Sequence, residues 1–421
     1  MKIAMVSAQA NPSAVLGEVD AGGQNLHVAE LSAALVRDGH EVTVYTRRDD
    51  HTQALYVEDP AGYRVVHVPA GPAKPVPKDE LLPYMEAFAR FLMGKWLRDP
   101  PDVVHAHFWM SGMASVLAAK APEVPVVQTF HALGVVKRRY QGRADTSPPQ
   151  RIQIERALAR QVDRVVATCS DEAFELARMG LPRTRMSVVP SGVDPEQFSP
   201  AGPVAAKGAR RRLVTVGRLV PRKGFATVIA ALRGIPRTEL VIAGGPAEGR
   251  LADNAEAKRL KALAQKAEVG DRVKLVGQVS RQDMPALLRS ADLVVCAPWY
   301  EPFGVVPLEA MACGVPVVAG AVGGLTDTVV DGVTGALVRP HRPALLAATV
   351  HGLLADPALR EAYAAAAVDR VRARYSWDRI ASDTLGVYTR VMPQPARAER
   401  TIAVGEARIV QVRRSARCPP Q

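Results

Sequence analysis

Cysteine is scarce in this chain. Four residues in 421 (Cys169, Cys296, Cys313 and Cys418) are scattered with no paired spacing. Neither a disulfide framework nor a cysteine-based zinc site is expected, and a reducing cytoplasm is the expected compartment. No run of eighteen apolar residues occurs, so no membrane span is expected. The apolar start Met1-Lys2-Ile3-Ala4-Met5-Val6 is too short for a signal-peptide core and reads as a first strand. Aromatic residues make up only 5%, and no recognised nucleic-acid motif is present. The net charge of +12 therefore points to no nucleic-acid partner. Abundant Arg, Ala and Pro account for it, with weak contact to an anionic membrane surface left open. No extended internal repeat stands out.

What is present suits two or three ordinary globular domains: 48% hydrophobic and 23% charged residues over this length. The most informative stretch runs from Glu301-Pro302-Phe303-Gly304-Val305-Val306-Pro307-Leu308-Glu309 to Ala310-Met311-Ala312-Cys313-Gly314-Val315-Pro316-Val317-Val318. Apolar Ala291 to Ala297 before it and Val315 to Ala319 after it read as buried strands. Between them lies a loop and a short helix from near Phe303, stopped by Gly314. A strand, a loop and a helix N-terminus in that order make an anion site. Glu301 falls on the loop and Glu309 about two turns into the helix, where carboxylates accept hydrogen bonds from hydroxyls. Phosphate at the helix end and hydroxyls at both carboxylates describe a nucleotide sugar; the plain alternative is two solvated glutamates on a helix.

The N-terminal half alternates strand and helix, the start of a doubly wound sheet. Strands are expected at Lys2 to Ser7, Glu41 to Thr46, Tyr63 to Pro69, Asp102 to His107, Pro125 to Thr129, Asp163 to Thr168 and Arg185 to Pro190. Asp20-Ala21-Gly22-Gly23-Gln24-Asn25 opens a helix to about Asp38, and its paired glycines allow an anion close to the backbone. A second helix is expected from about Asp79 to Leu97, and a polar loop over the cleft from Lys137 to Pro149. His105 and His107 share one face of a strand, but a metal pair lacks a third ligand. One is expected to be packed core and the other to line the cleft. His131 follows the strand ending at Thr129, at the edge where open sheets bind ligands. In the second half, strands are expected at Arg212 to Val216, Glu239 to Ala243 and Arg272 to Val276. Arg218 and Lys223 lie five apart after the first of these, where two fixed cations can neutralise a departing diphosphate; a solvated basic turn is the alternative.

These segments resemble the retaining glycosyltransferases of family four (group 1), which include sucrose-phosphate synthase and the mycothiol glycosyltransferase. The resemblance rests on Glu301-Pro302-Phe303-Gly304 with Pro307-Leu308-Glu309-Ala310, on Gly217-Arg218 with Lys223-Gly224, on Thr129-Phe130-His131-Ala132-Leu133 and on Pro190-Ser191-Gly192-Val193-Asp194. It covers residues 1 to about 391. It implies an α/β GT-B fold, two Rossmann-like doubly wound domains facing across a cleft. The expected division is an acceptor-side domain over 1–200, a linker over 201–210 and a nucleotide-sugar domain over 211–375. A helix returning to the first domain is expected over 376–392. The tail 393–421 lies outside the resemblance; with six Arg, two Glu and four Pro it is expected to be disordered.

By the same resemblance, His131, Arg218, Lys223 and Glu301 carry the chemistry. Gly23, Gln278, Val279, Phe303, Gly304, Val305, Val306 and Glu309 join Arg218, Lys223 and Glu301 around the donor, with Glu309 on the ribose and the backbone near Gln278 and Val279 reading the base. Asn25, Lys78, Phe108 and Arg151 belong to the acceptor side. The mycothiol transferase uses a tyrosine and a threonine hydroxyl on its inositol phosphate, and those positions here are Phe108 and Ala132. A different phosphorylated or polyol acceptor is therefore expected. Transfer with retention and without metal or cofactor is implied. The alternatives are a sugar-nucleotide epimerase, which would lack the paired glutamates, and a sugar phosphorylase, which would need a lysine-anchored pyridoxal site. A third is a non-catalytic nucleotide-sugar binder, which could dispense with His131. Sugar, base, oligomeric state and the role of the tail are left open.

Overall fold

The computed structural model describes residues 1–12 and 22–392. The expectations for Asp20, Ala21, Cys418 and the tail 393–421 lie outside the described residues. Runs of Val, Ile and Leu bounded by Gly, Pro and Asp form strands buried on both faces, which favours parallel pairing with helices on either side. The first sheet contains β1 (Lys2–Val6), β2 (Glu41–Arg47), β3 (Tyr56–Glu58), β4 (Arg64–Val68), β5 (Val103–His107), β6 (Val126–Thr129), β7 (Arg164–Ala167) and β8 (Met186–Val188), in the order β3-β4-β2-β1-β5-β6-β7-β8. All its neighbours pair parallel except β3 with β4. The second contains β9 (Arg211–Val216), β10 (Thr238–Ala243), β11 (Val273–Gly277), β12 (Leu293–Cys296), β13 (Val317–Gly320) and β14 (Gly335–Val338), in the order β11-β10-β9-β12-β13-β14. It is parallel throughout.

Both sheets are doubly wound, the GT-B architecture. In each, the strand order reverses about the first strand: between β1 and β5, and between β9 and β12. Loops leaving the C-terminal ends of adjacent strands part there in opposite directions and open a crevice. The candidate site residues cluster on those loops. The last helix, Trp377–Val391, returns to the first sheet and buries Ile380, Ala381, Val387 and Tyr388 with Leu31 and Leu35 of helix Gly23–Arg37. The Trp377 ring lies against Gly192, where a Cβ would fall 2.7 Å from it.

Local differences from expectation have identifiable causes. The basic run after Gly134 is a helix, Gly134–Gln141, rather than a loop over the cleft. Lys137 meets Asp79 at 3.3 Å and Asp145 at 3.2 Å, so the run is tied down by ion pairs. The expected helix over 79–97 starts regularly only at Met85, after two short 3-10 turns, Lys78–Glu80 and Leu82–Tyr84, the second containing Pro83. Strand β3 is short and exposed, giving no apolar signal, and β14 was also unanticipated.

Gly224 stands between the β9 loop and helix Phe225–Ala231 with φ +74°, and a Cβ there would lie 1.7 Å from the carbonyl oxygen of Ala297 beyond β12. The glycine thus lets the two site-bearing loops touch. Gly224→Ala is expected to cost about 2–4 kcal/mol, combining left-handed strain with a backbone overlap. Urea denaturation of both proteins measures it, and a loss below about 0.5 kcal/mol would mean that the loops can separate freely.

Candidate active site in the interdomain cleft

A cavity of about 420 Å³ lies between the two sheets, within the range of small-molecule sites. Fifteen of the sixteen residues singled out from sequence line it: Gly23, Asn25, Lys78, Phe108, His131, Arg218, Lys223, Gln278, Val279, Glu301, Phe303, Gly304, Val305, Val306 and Glu309. Arg151 does not. Its guanidinium is buried behind the wall, donating to Glu155 at 2.7 Å, to Ser147 Oγ at 3.2 Å and to the Ala132 carbonyl, with the Phe108 ring 4.9 Å away. Its Nε, Nη1 and Nη2 each donate to a protein partner, so it braces this wall from behind rather than lining the cavity.

On the second sheet, β9 delivers Arg218, Arg222 and Lys223, and β12 delivers Glu301. Lys223 Nζ donates to a Glu301 oxygen at 2.6 Å, with Arg222 3.7 Å from the same oxygen. Burial pushes the Glu301 carboxyl up, but Lys223, Arg222 and Arg218 outweigh it and hold the pKa below the usual range. Glu301 is therefore an ionised acceptor, fixed by cations that are themselves presented to the cavity.

Gly304, at φ +91°, turns the chain into helix Val305–Ala312. The helix starts two residues later than expected, which places Glu309 little more than one turn in. Its N-terminus meets that of helix Gly23–Arg37: a Cβ at Gly23 would lie 3.8 Å from Val305 Cγ2. Two positive helix ends thus flank one space. Glu309 is buried and paired with Arg281, which sequence reading missed because a lone arginine after Ser280 carries no motif. Burial raises the Glu309 pKa, and Arg281 only partly opposes it. Asn25 lines the cavity but its amide is used within the loop, accepting from Gly22 N–H at 3.1 Å and donating to the Asn11 carbonyl at 2.8 Å.

The histidines depart from expectation. His105 and His107 are both buried and neither lines the cavity. His105 is held by Tyr388 Oη and Thr129 Oγ1, each at 2.8 Å, and burial lowers its pKa to about 3. His107 Nδ1 lies 2.9 Å from His131 Nε2, the ring that does reach the cavity. The third partner that sequence reading did not find is His27, from the first turns of helix Gly23–Arg37. One nitrogen from each of His27, His107 and His131 lies within 4.8 Å of the other two. His131 has φ +60° and Phe108 has φ +77° with ψ 156°. Such backbone is costly outside glycine and concentrates at functional sites. Among the described residues the cysteines are not activated thiols: burial pushes Cys169, Cys296 and Cys313 up to about 12.

Comparison with known proteins shows similarity along most of the chain. The family described as "Glycosyl transferases group 1" matches residues 203–370, and "Glycosyltransferase Family 4" matches 21–197. The D-inositol 3-phosphate glycosyltransferase of Xylanimonas cellulosilytica is 38% identical over 414 residues, covering 94% of this chain and 98% of that protein. The protein of the same name from Mycolicibacterium smegmatis is 35% identical, covering 99% and 97%. Among solved structures, sucrose-phosphate synthase from Thermosynechococcus elongatus superposes with a TM-score of 0.84 at 31% identity, covering 92% of this chain and 98% of that one. Anabaena HepE, solved with UDP and glucose, shares the fold at a TM-score of 0.69 and 20% identity. Among the described residues, no helix is long and apolar enough to cross a membrane.

The two glutamates should titrate with opposite effect. Glu301 has a lowered pKa, so the stability it supplies is present above the unfolded carboxylate pKa of about 4.3 and is lost as pH falls through its folded value. Glu309 has a raised pKa, so its ionisation costs stability as pH rises through its folded value. The unfolding free energy of the wild type relative to Glu301→Gln should fall as the pH drops below about 4.3, and relative to Glu309→Gln it should fall as the pH rises above about 4.3. Parallel slopes would show that the two carboxylates share one environment.

Proposed function

From the premise that this chain belongs to the group 1 and family 4 glycosyltransferases, we propose that it moves a sugar from a nucleotide diphosphate sugar to a hydroxyl of a small polar acceptor, with retention and without a metal cofactor. The observation that carries this reading is the Lys223–Glu301 pair at the mouth of helix Val305–Ala312, with Arg218 and Arg222 beside it. Two donors of fixed position and a helix end suit a diphosphate, and a partly buried, ionised carboxylate suits sugar hydroxyls. In this reading Lys223 and Arg218 neutralise the diphosphate as its bond to the anomeric carbon breaks. The acceptor oxygen forms the new bond on the same face, and the leaving phosphate takes the proton of the acceptor hydroxyl. His131, neutral because burial and the neighbouring histidines lower its pKa, places a polar edge beside the reacting carbon. Glu309 and Arg281 hold the ribose side, and the backbone at Gln278 and Val279 meets the base.

The acceptor side supports a departure from the relatives whose name specifies inositol 3-phosphate. Arg151 is spent on protein partners, and Phe108 and Ala132 offer no hydroxyl to a phosphate. Lys78 is the cation on that side of the cavity. A polyol, or a phosphorylated polyol of different shape, fits this wall better.

The test incubates purified protein separately with UDP-glucose, GDP-mannose and ADP-activated sugars and measures nucleotide release, then screens polyol acceptors with and without EDTA. Release from one donor, unchanged by EDTA and reduced by on the order of 10²–10³-fold in Lys223→Ala, is expected, as is loss of release in Glu301→Ala. Inositol phosphate should be turned over at least about 100-fold less efficiently than the true acceptor, from two lost donors to its phosphate. Efficient transfer to inositol phosphate would overturn the acceptor assignment, and an inverted product would overturn the stereochemistry.

A further inference from the structure

We infer that His27, His107 and His131 form an inhibitory binding site for a borderline divalent cation such as Zn²⁺. The inference rests on the preceding reading only in placing His131 beside the reacting sugar. One nitrogen from each ring lies within 4.8 Å of the others, and His107 Nδ1 and His131 Nε2 are already 2.9 Å apart. A tetrahedral ion with Zn–N bonds of about 2.0–2.1 Å needs nitrogens roughly 3.3 Å apart, so small ring rotations complete the set.

The surroundings favour metal over a simple hydrogen-bonded cluster. The far nitrogens are engaged, as outer partners of metal-bound histidines are: His27 Nδ1 by Ser191 Oγ at 3.1 Å and His107 Nε2 by Met5 Sδ at 3.4 Å. The rings come from a helix first turn, the end of β5 and the residues just after β6, so all three are fixed within one domain. His27 and His131 line the cavity, which gives the ion an entry path and leaves its fourth position facing the cleft. Three imidazoles with an open position suit Zn²⁺, Co²⁺ or Ni²⁺ rather than Mg²⁺ or Ca²⁺. A cation there takes the lone pair of His131 and fills space beside the sugar, so binding opposes transfer.

The experiment loads EDTA-stripped, dialysed full-length protein with Co²⁺ as a spectroscopic probe, then displaces it with Zn²⁺ against a competing chelator. Wild type should show one tetrahedral Co²⁺ d–d band per chain. His27→Phe, checked for folding by its thermal transition, should weaken Zn²⁺ binding by at least roughly 10- to 100-fold. His131→Phe, read by binding alone, should do the same. Zn²⁺ should suppress wild-type nucleotide release, while Mg²⁺ and Ca²⁺ should not. Equal binding by wild type and both variants would overturn the site. Full occupancy with undiminished turnover would overturn the inhibition. No turnover of any donor by stripped protein, with the Co²⁺ band intact, would instead overturn the proposed transferase reaction and leave the metal site standing.

Discussion

A partly buried carboxylate held among cations is the constraint on which the second domain's site depends. Isolated burial of Glu301 would cost several kcal/mol or force it to take up a proton. Lys223 and Arg222 prevent that, and both come from the loop after β9, while Glu301 comes from the loop after β12. The pair forms only because those strands are neighbours at the reversal of strand order. Contact between the loops in turn requires Gly224, because any side chain there would enter the Ala297 carbonyl. Topology, a glycine and an ion pair are therefore one device.

The first domain solves the opposite problem. Two of its polar groups at the cleft, His27 and His131, are neutral imidazoles, with His107 stacked behind His131 and His105 tilted against His107. Mutual proximity and burial both disfavour protonation, so these rings add hydrogen-bonding edges without adding charge. The return helix stiffens them from behind, since Tyr388 holds His105 and Trp377 meets His27 edge-on at 5.5 Å. The second-domain wall concentrates the fixed ions, while the first sets Lys78 beside neutral imidazoles. That division suits a reaction in which charge develops on the leaving phosphate and the acceptor hydroxyl must stay protonated until late.

Legibility in the sequence followed how local each feature was. The strands at β1, β5, β9 and β12 announce themselves by apolar runs, the last three ending in or soon followed by His, Gly or Pro, and their loops carry residues whose spacing suggests chemistry. Arg281 and His27 were silent because their significance lies in partners 28 and 104 positions away, Glu309 and His131. Arg151 shows a different failure. Its i,i+4 relation to Glu155 was visible, and such a spacing on a helix is usually a weak surface pair. Burial of both side chains converted it into a structural clamp that removed the arginine from the cavity. The left-handed backbone of Phe108 and His131 left no trace either, because both residue types ordinarily avoid it.

Five cationic side chains and two carboxylates line the cleft: Lys78, Arg218, Arg222, Lys223 and Arg281 against Glu301 and Glu309. Lys223 and Arg281 are matched to the two carboxylates. In the proposed reaction the donor exchanges these partners rather than supplying missing ones. Sugar and ribose hydroxyls donate to Glu301 and Glu309, and donors of Lys223 turn to the diphosphate. An exchange of this kind limits reorganisation, because the cations stand where the phosphate charge develops before the donor arrives. In that proposed exchange the Glu301 carboxylate stands in for the phosphate, positioned by the same Lys223 and Arg222 that would later face it.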